Sequence, residues 1–298
     1  MSDILVPRQA IDGPTFIGIG VQKCATSWLH EVLQAHPDVF TSTPKEIDFF
    51  SAAFDRGYEW YERHFEEGRA VTARGETSPS YFHHPQVPAR IKAYAPDAKL
   101  IVVFRDPVDR AFSNHLHELR KWHFTSSERF EDGLRNNPLY LEQSRYAKHM
   151  ALWLEVFPKE QILPLIFEEI TQTPDQAIRQ VYAFLGVDPE GKIDESRTSS
   201  NESVAFRNDR LQVMLQSGGN ALRRAGLGKA LESFKSIGPV HYLMNLNKRD
   251  LRVEAPPLSD ETRALVAAEL EDDVKALAKM LGRESFPWRS FPSLRKAA

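Results

Sequence analysis

A short polar loop near the start of the chain contains the residues with the clearest chemical potential. This loop, residues 20–27, follows a β-prone run and precedes a stretch with helical character. A loop at this position can bind phosphate, because its backbone amides and the N-terminus of the next helix carry partial positive charge. Lys23 adds a full positive charge, and Thr26 and Ser27 add hydroxyl donors. The same residues also allow an ordinary turn with a surface lysine.

The spacing within this loop differs from the G-x-x-x-x-G-K-[ST] loop of nucleotide triphosphatases. Lys23 lies three residues before Thr26, and Cys24 and Ala25 occupy the positions beside the hydroxyl where that motif has glycine and lysine. The pattern therefore disfavours binding of Mg²⁺-ATP. A divergent P-loop nucleotide kinase is kept as an alternative function.

Four segments resemble those of sulfotransferases that use 3′-phosphoadenosine 5′-phosphosulfate (PAPS). Residues 20–29 (GVQKCATSWL) resemble the family's loop for the 5′-phosphosulfate, and residues 104–113 (FRDPVDRAFS) resemble its R-D-P-x-x-R-x-x-S signature for the 3′-phosphate. Residues 45–50 (KEIDFF) and 76–82 (ETSPSYF) resemble two blocks of the heparan-sulfate-type branch. The resemblance runs from about residue 16 to residue 185, and the chain looks like a bacterial-style relative.

This resemblance implies a PAPS-dependent sulfotransferase of the EC 2.8.2 type. Such an enzyme moves a sulfuryl group in line to an acceptor hydroxyl and releases adenosine 3′,5′-bisphosphate (PAP). We expect a carbohydrate or small-molecule acceptor rather than a protein. No metal is expected to be required, because sulfuryl oxygens carry less charge than the phosphoryl oxygens that kinases neutralise with Mg²⁺. A non-catalytic module that binds PAP is the remaining alternative.

The resemblance also assigns the residues that hold PAPS. Lys23 is the cation that stabilises the bridging oxygen of the leaving phosphate, and Arg105 and Ser113 hold the 3′-phosphate. A guanidinium suits a terminal phosphate because its forked donors match the oxygens. A structural ion pair of Arg105 with Asp106 or Asp109 is the other interpretation. The complete set expected to bind the nucleotide is Gln22, Lys23, Cys24, Ala25, Thr26, Ser27, Trp28, Arg105, Ser113 and Arg207.

Glu46 falls on the glutamate that acts as general base in the heparan-sulfate-type branch. A carboxylate can accept the acceptor's proton if its pKa is raised or if proton transfer is late. The alternative for Glu46 is a solvated pair with Lys45. His115 and His117 are rival bases, but two residues apart on a helix they cannot share a face, and surface placement is expected for both.

Aromatic residues of the same two blocks are the candidates for contact with the acceptor. They are Phe49, Phe50, Tyr81 and Phe82. Where the heparan-sulfate-type pattern often has a lysine that holds the sulfuryl group or acceptor, this chain has Thr77. The block therefore does not by itself imply a polysaccharide acceptor.

Apolar runs that alternate with helical stretches predict the elements that position these residues. Strands are predicted at residues 15–19, 99–104 and 161–167, with helices over residues 28–35 and onward from Pro107. Near-continuous apolar strands alternating with amphipathic helices indicate a parallel sheet covered on both faces. We therefore expect an α/β, P-loop-like three-layer fold, with a central parallel β-sheet flanked by helices.

The chain is predicted to form a single sulfotransferase domain over residues 1–298. Residues 201–252 contain several glycines and an excess of positive charge, which favours a mobile lid over an anionic ligand or an irregular connection. A C-terminal helix is predicted over residues 259–281, with Ser259 as its cap.

Composition excludes several other classes of protein. The 298 residues carry a net charge of −3, so no broad positive field exists for nucleic acid. Cys24 is the single cysteine, which rules out an intramolecular disulfide. The sequence shows no signal-peptide layout and no run of about eighteen apolar residues. We therefore expect no membrane span and a cytoplasmic location.

Overall fold

The computed structural model describes residues 13–121, 127, 129–191, 204–206, 248–250 and 256–294. The chain divides into two compact units. The first combines Met1–Asn114, Pro138–Asn201 and Ser259–Ala298, and the second combines His115–Asn137 and Glu202–Leu258.

A five-stranded sheet forms the centre of the first unit. Its strands are β1 (Phe16–Gly20), β2 (Val39–Thr41), β3 (Ala73–Thr77), β4 (Lys99–Phe104) and β5 (Ile162–Ile166). They lie in the order β2-β3-β1-β4-β5, and every neighbouring pair is parallel. All five residues of β1 and five of the six residues of β4 are buried, as expected for strands covered on both faces. This sheet and its helices confirm the predicted α/β fold.

Helices connect the strands and flank the sheet. In chain order they are α1 (Thr26–Ala35), α2 (Tyr58–Glu62), α3 (Val87–Tyr94), α4 (Pro107–Lys121), α5 (Phe130–Asn136), α6 (Leu139–Glu142), α7 (Tyr146–Leu154), α8 (Phe167–Gln172), α9 (Pro174–Leu185) and α10 (Asp260–Leu281). The predicted cap of α10 is confirmed, because the Ser259 side chain accepts a hydrogen bond from the Thr262 amide at 3.1 Å. None of the helices in the described ranges is long and apolar enough to span a bilayer.

The strand order favours ligand binding beside β1. The chain leaves β1 for β2 and β3 on one side, whereas β4 and β5 lie on the other side. In open α/β sheets, ligands bind at the carboxyl ends of the strands where the order reverses in this way. The loop after β1 and the segment after β4 therefore meet at the expected place.

The second unit contains the remaining described elements. They are the C-terminal part of α4, the helix α5, and an antiparallel pair of strands, β6 (Val204–Phe206) and β7 (Lys248–Asp250). The rest of the predicted lid at residues 201–252, including Arg207, lies outside the described residues.

Candidate active site

The loop after β1 turns the chain sharply into α1. The Val21 amide donates to the Val103 carbonyl of β4 at 3.1 Å, and the Cys24 amide donates back to the Val21 carbonyl at 3.2 Å. Lys23 and Ala25 adopt left-handed backbone conformations, with φ of 68° and 58°. This geometry delivers the chain directly to the first turn of α1.

The N-terminus of α1 is open to an anion. Its cap residue is Ala25, which has no side-chain oxygen to accept from the first-turn amides, and the first turn contains no acidic residue. The unsatisfied amides and the helix dipole place about half a positive charge at this end. Ser27 and Lys23, both half-buried, add polar groups beside it. The arrangement is chemically suited to a phosphate group.

Gly20 lets this loop pass close to the segment that follows β3. A Cβ at this position would lie 2.8 Å from the Phe82 Cβ and 3.2 Å from the Pro79 carbonyl oxygen. The φ of Gly20 is also +148°, which other residues rarely adopt. Any side chain at this position would therefore displace the loop.

Not every loop side chain that the sequence proposed can reach a ligand. The Cys24 side chain is fully buried, with Sγ 3.8 Å from the Tyr146 hydroxyl, and burial raises its pKa to about 12. Cys24 can therefore contribute only its backbone to the predicted nucleotide-binding loop. Trp28 is also buried, Gln22 is half-buried, and Thr26 retains 7% of its surface exposed in the first turn of α1.

Arg105 follows β4 and reaches the loop after β1. Its Nη1 donates to the Lys23 carbonyl at 3.4 Å, and its guanidinium lies over the Phe167 ring at 4.8 Å. The buried Nε atom has no hydrogen-bond partner in the part of the chain that the structure describes. A buried donor without a partner is costly, so this atom points to an anionic ligand.

The carboxylates near Arg105 are engaged elsewhere. Asp106 accepts from the Val108 amide at 3.0 Å and from the Ser290 amide at 2.9 Å. Asp109 pairs with Arg263 and with Arg289. The alternative of an Arg105 ion pair with Asp106 or Asp109 is therefore wrong for this structure. Ser113 lies half-buried on α4, two turns beyond Arg105.

Arg110 adds a second positive charge, to which the sequence alone assigns no role. Its guanidinium is completely buried and donates to Ser144 Oγ at 2.7 Å, to Gln143 Oε1 at 3.2 Å and to the Tyr140 carbonyl. Burial lowers its pKa, and the neighbouring Arg105 charge adds to this effect. The second arginine of the R-D-P-x-x-R pattern was the available signal for this residue.

Glu46 lies on a segment that reaches back to α1. Glu46 and Asp48 have left-handed backbones, and the Glu46 side chain is 48% exposed. Lys45 Nζ lies 2.9 Å from Glu46 Oε1 and 3.1 Å from Ser27 Oγ. The structure therefore brings the predicted base close to the predicted phosphate loop, with Lys45 between them.

A buried carboxylate, Glu76, fixes this segment to the end of β3. Its oxygens accept from Tyr61 at 2.8 Å, Ser78 at 2.5 Å and Tyr81 at 2.7 Å. The Ser78 hydroxyl in turn accepts from the Asp48 amide, and the Tyr81 hydroxyl from the Phe50 amide. Burial raises the pKa of Glu76 to about 7, although the three hydrogen bonds oppose that rise. The sequence placed Glu76 at the start of the block of residues 76–82 but assigned it no role.

Asp48 and His30 also lie close to Glu46. Asp48 accepts from Ser80 Oγ at 2.5 Å, and burial, together with the Glu46 charge, raises its pKa. His30 lies on α1, where burial and the nearby Lys45 charge lower its pKa.

The rival base His115 is buried beside Phe130 in the second unit, so surface placement of that histidine is wrong.

The aromatic residues proposed to contact the acceptor belong to the core. Phe49, Phe50, Tyr81 and Phe82 have no exposed surface. Phe49 stacks on Tyr61 at 4.4 Å between ring centroids, and the other three make further edge-on ring contacts. Their apolar area stabilises the fold around Glu46, so we correct the expectation that these side chains present an acceptor surface.

The described residues contain no cluster of three or more His, Cys, Asp or Glu side chains arranged for a metal ion.

Comparisons with known proteins place this site in a wider context. The family described as "Sulfotransferase domain" matches residues 14–228. Heparan sulfate glucosamine 3-O-sulfotransferase 3B1 of Mus musculus is 35% identical over 181 residues, covering 58% of this chain and 46% of that protein. Bifunctional heparan sulfate N-deacetylase/N-sulfotransferase 3 of Mus musculus is 32% identical over an alignment that covers 93% of this chain and 31% of that protein. The chain thus spans about half the length of the first relative and about a third of the second.

A solved structure shows the same architecture. The crystal structure of a sulfotransferase from Alicyclobacillus acidocaldarius matches with a TM-score of 0.66 and 26% identity, over 93% of this chain and 98% of that one. The family match includes the loop after β1, Glu46 and Arg105, and it extends over most of the chain. With the α/β sheet and the open helix terminus, these matches confirm the resemblance read from the sequence, and the chain belongs to the sulfotransferase domain family.

Proposed function

We propose that this protein transfers a sulfuryl group from PAPS to a hydroxyl of a carbohydrate or small molecule. The observation that carries the proposal is that two separate anion-binding features meet at one loop. The open N-terminus of α1 suits the 5′-phosphate, and Arg105, with its unpartnered Nε, suits a second phosphate. The contact from Arg105 to the Lys23 carbonyl joins these features. PAPS carries two such groups, at its 5′ and 3′ positions.

The loop after β1 and the first turn of α1 bind the sulfuryl donor. PAPS supplies the activated sulfuryl group when it is bound. The first-turn amides and the Thr26 and Ser27 hydroxyls hold the 5′-phosphate, and Lys23 stabilises the negative charge that grows on the bridging oxygen. Arg105 holds the 3′-phosphate, and Ser113 is the second proposed contact. Arg110, which is completely buried, contributes a fixed positive charge that also acts on Cys24, where it opposes the rise in pKa.

Glu46 takes the proton from the acceptor hydroxyl. Its exposed carboxylate can reach a molecule in solvent, and the hydrogen bonds of Ser78 and Tyr81 hold its segment in place. A carboxylate fixed in this way can act as a general base when proton transfer accompanies attack. The name of the 3-O-sulfotransferase relative supports a sugar hydroxyl of heparan sulfate as the first acceptor to test, whereas the name of the N-sulfotransferase relative points to a nitrogen of the same polymer.

Calorimetric binding of PAP, AMP and Mg²⁺-ATP tests the nucleotide assignment. We expect PAP to bind with micromolar or tighter affinity, and AMP, which lacks the 3′-phosphate, to bind about 10- to 100-fold more weakly. Arg105→Ala should weaken the binding of PAP to the level of AMP binding and leave the affinity for AMP unchanged. Arg179→Ala is the matched control, because Arg179 pairs with Glu190 on the surface.

Two results would contradict the proposal. The first is wild-type protein that shows no preference for PAP over AMP or Mg²⁺-ATP, which would favour the kinase alternative. The second is a loss of AMP affinity in Arg105→Ala that equals the loss of PAP affinity, because the guanidinium would then not bind the 3′-phosphate.

A further inference from the structure

Lys45 connects the two sides of the proposed reaction site. Its Nζ lies 3.1 Å from Ser27 Oγ and 2.9 Å from Glu46 Oε1. Ser27 belongs to the first turn of α1, on the donor side, whereas Glu46 serves the acceptor side. One ammonium group therefore contacts both sides at once.

The two contacts limit where the sulfuryl group can pass. Since 3.1 Å and 2.9 Å separate Nζ from the two oxygens, Ser27 Oγ and Glu46 Oε1 are no more than about 6 Å apart. In an in-line transfer the sulfur moves from the phosphate oxygen held beside α1 to the acceptor oxygen held beside Glu46. A cation that contacts both ends lies alongside that path.

A simple surface ion pair does not account for Lys45. Exposed pairs between neighbouring residues contribute little to stability. The Lys45 side chain is only 22% exposed, and it also donates to a hydroxyl 18 positions earlier in the chain. Its charge contributes to the lowered pKa of His30 on α1, which agrees with an ammonium held over this helix.

The end of β3 cannot supply the charge instead. Thr77 is fully buried at the last position of this strand, and its side chain packs against Gly18 of β1. Its hydroxyl has no hydrogen-bond partner among the residues that the structure covers. Lys45 is the basic side chain that the structure places between Ser27 and Glu46.

We propose that Lys45 is a second catalytic cation, which contacts the sulfuryl oxygens during transfer. This proposal rests on the proposed function and extends it. As the acceptor oxygen bonds to sulfur, its proton passes to Glu46. The bond from sulfur to the bridging oxygen breaks, and its electron pair stays on the phosphate of PAP. Lys45 remains protonated throughout and donates to the oxygens that bear the shifting charge.

Comparing the binding of PAPS and PAP tests this role without an acceptor. Lys45→Met retains much of the side chain's length and removes its charge. We expect it to weaken PAPS binding about tenfold and PAP binding by less than about twofold, since PAP lacks the sulfuryl group. Lys275→Met is the control, because Lys275 pairs with Glu271 on the solvent-facing side of α10. Lys45→Arg should restore part of the PAPS affinity.

Turnover provides the second readout. PAP release from PAPS, with heparan sulfate or with water as acceptor, should fall about 100-fold in Lys45→Met. Equal losses of PAPS and PAP affinity, or unchanged binding and turnover, would overturn the role of Lys45 and leave the proposed function standing. If wild-type protein binds neither nucleotide, the proposed function fails, and the role of Lys45 fails with it.

Discussion

Replacing Glu76 with glutamine should flatten the pH dependence of stability. Glu76 is completely buried, and its pKa is raised from an ordinary value of 4.5 to about 7. The folded protein therefore binds one more proton than the unfolded chain between these two pH values. Stability decreases with rising pH wherever the folded state holds the extra proton.

The magnitude follows from the shift. Each pKa unit corresponds to about 1.4 kcal/mol. Because the pKa of Glu76 changes from 4.5 to about 7, complete ionisation of Glu76 lowers the free energy of unfolding by about 3 kcal/mol. Between pH 5 and pH 8, this group alone should lower the free energy of unfolding by about 2 to 3 kcal/mol. Glu76→Gln has no carboxyl group to titrate, so this pH dependence should be absent. The substitution also weakens the hydrogen bonds from Tyr61, Ser78 and Tyr81.

Urea denaturation at several pH values measures the effect. The wild-type free energy of unfolding should fall more steeply from pH 5 to pH 8 than that of Glu76→Gln, by about 2 to 3 kcal/mol. Glu155→Gln, a change at an exposed glutamate, is the control and should run parallel to wild type. Parallel curves for wild type and Glu76→Gln would refute the raised pKa of Glu76.

Two further predictions concern the loop after β1 and the start of α4. Gly20→Ala should lower the free energy of unfolding by about 2 kcal/mol, because its Cβ would meet Phe82 in a backbone conformation that alanine rarely adopts. Chemical denaturation measures this, and a loss below about 0.5 kcal/mol would contradict the close approach. Although burial alone would raise it, the pKa of Asp109 is lowered by hydrogen bonds from Arg289 and Arg263. Its stabilising contribution is thus present above the ordinary value of 3.8 and lost as the pH falls through the lowered value. Asp109→Asn should therefore lower the free energy of unfolding by about 1 to 2 kcal/mol at pH 7 and by nearly nothing in strong acid, as measured by chemical denaturation at both pH values. An equal loss at both pH values would show that the charge of Asp109 is unimportant for stability.

The sequence predicted the strands that are apolar throughout and missed those that are not. Strands β1, β4 and β5 agree with their predicted positions within one or two residues. The sequence of β3, Ala-Arg-Gly-Glu-Thr, has no apolar run and forms a strand because it pairs with β1 and β2. Gly75 permits that pairing, since a Cβ there would lie 2.1 Å from the Phe16 carbonyl oxygen.

The site was predictable where a motif is local and unpredictable where it depends on packing. The loop of residues 20–27 and Arg105 follow adjacent parallel strands, so their meeting follows from the strand order. Aromatic residues near a motif can line a pocket or fill a core, and only the packing around Tyr61 shows that Phe49 belongs to the core. The contact of Lys45 with Ser27 joins the segment after β2 to the first turn of α1, and no local pattern encodes it.

Transfer of labelled sulfate from PAPS tests the central claim most directly. Wild-type protein and Glu46→Gln are each incubated with [³⁵S]PAPS and with heparan sulfate or a panel of small alcohols and phenols. We predict that the wild-type protein labels an acceptor. We also predict that Glu46→Gln binds PAP as tightly as wild type but transfers the label at least about 100-fold more slowly. Transfer by Glu46→Gln at the wild-type rate would contradict the role of Glu46, and wild-type protein that binds PAP but labels no acceptor would contradict sulfuryl transfer itself.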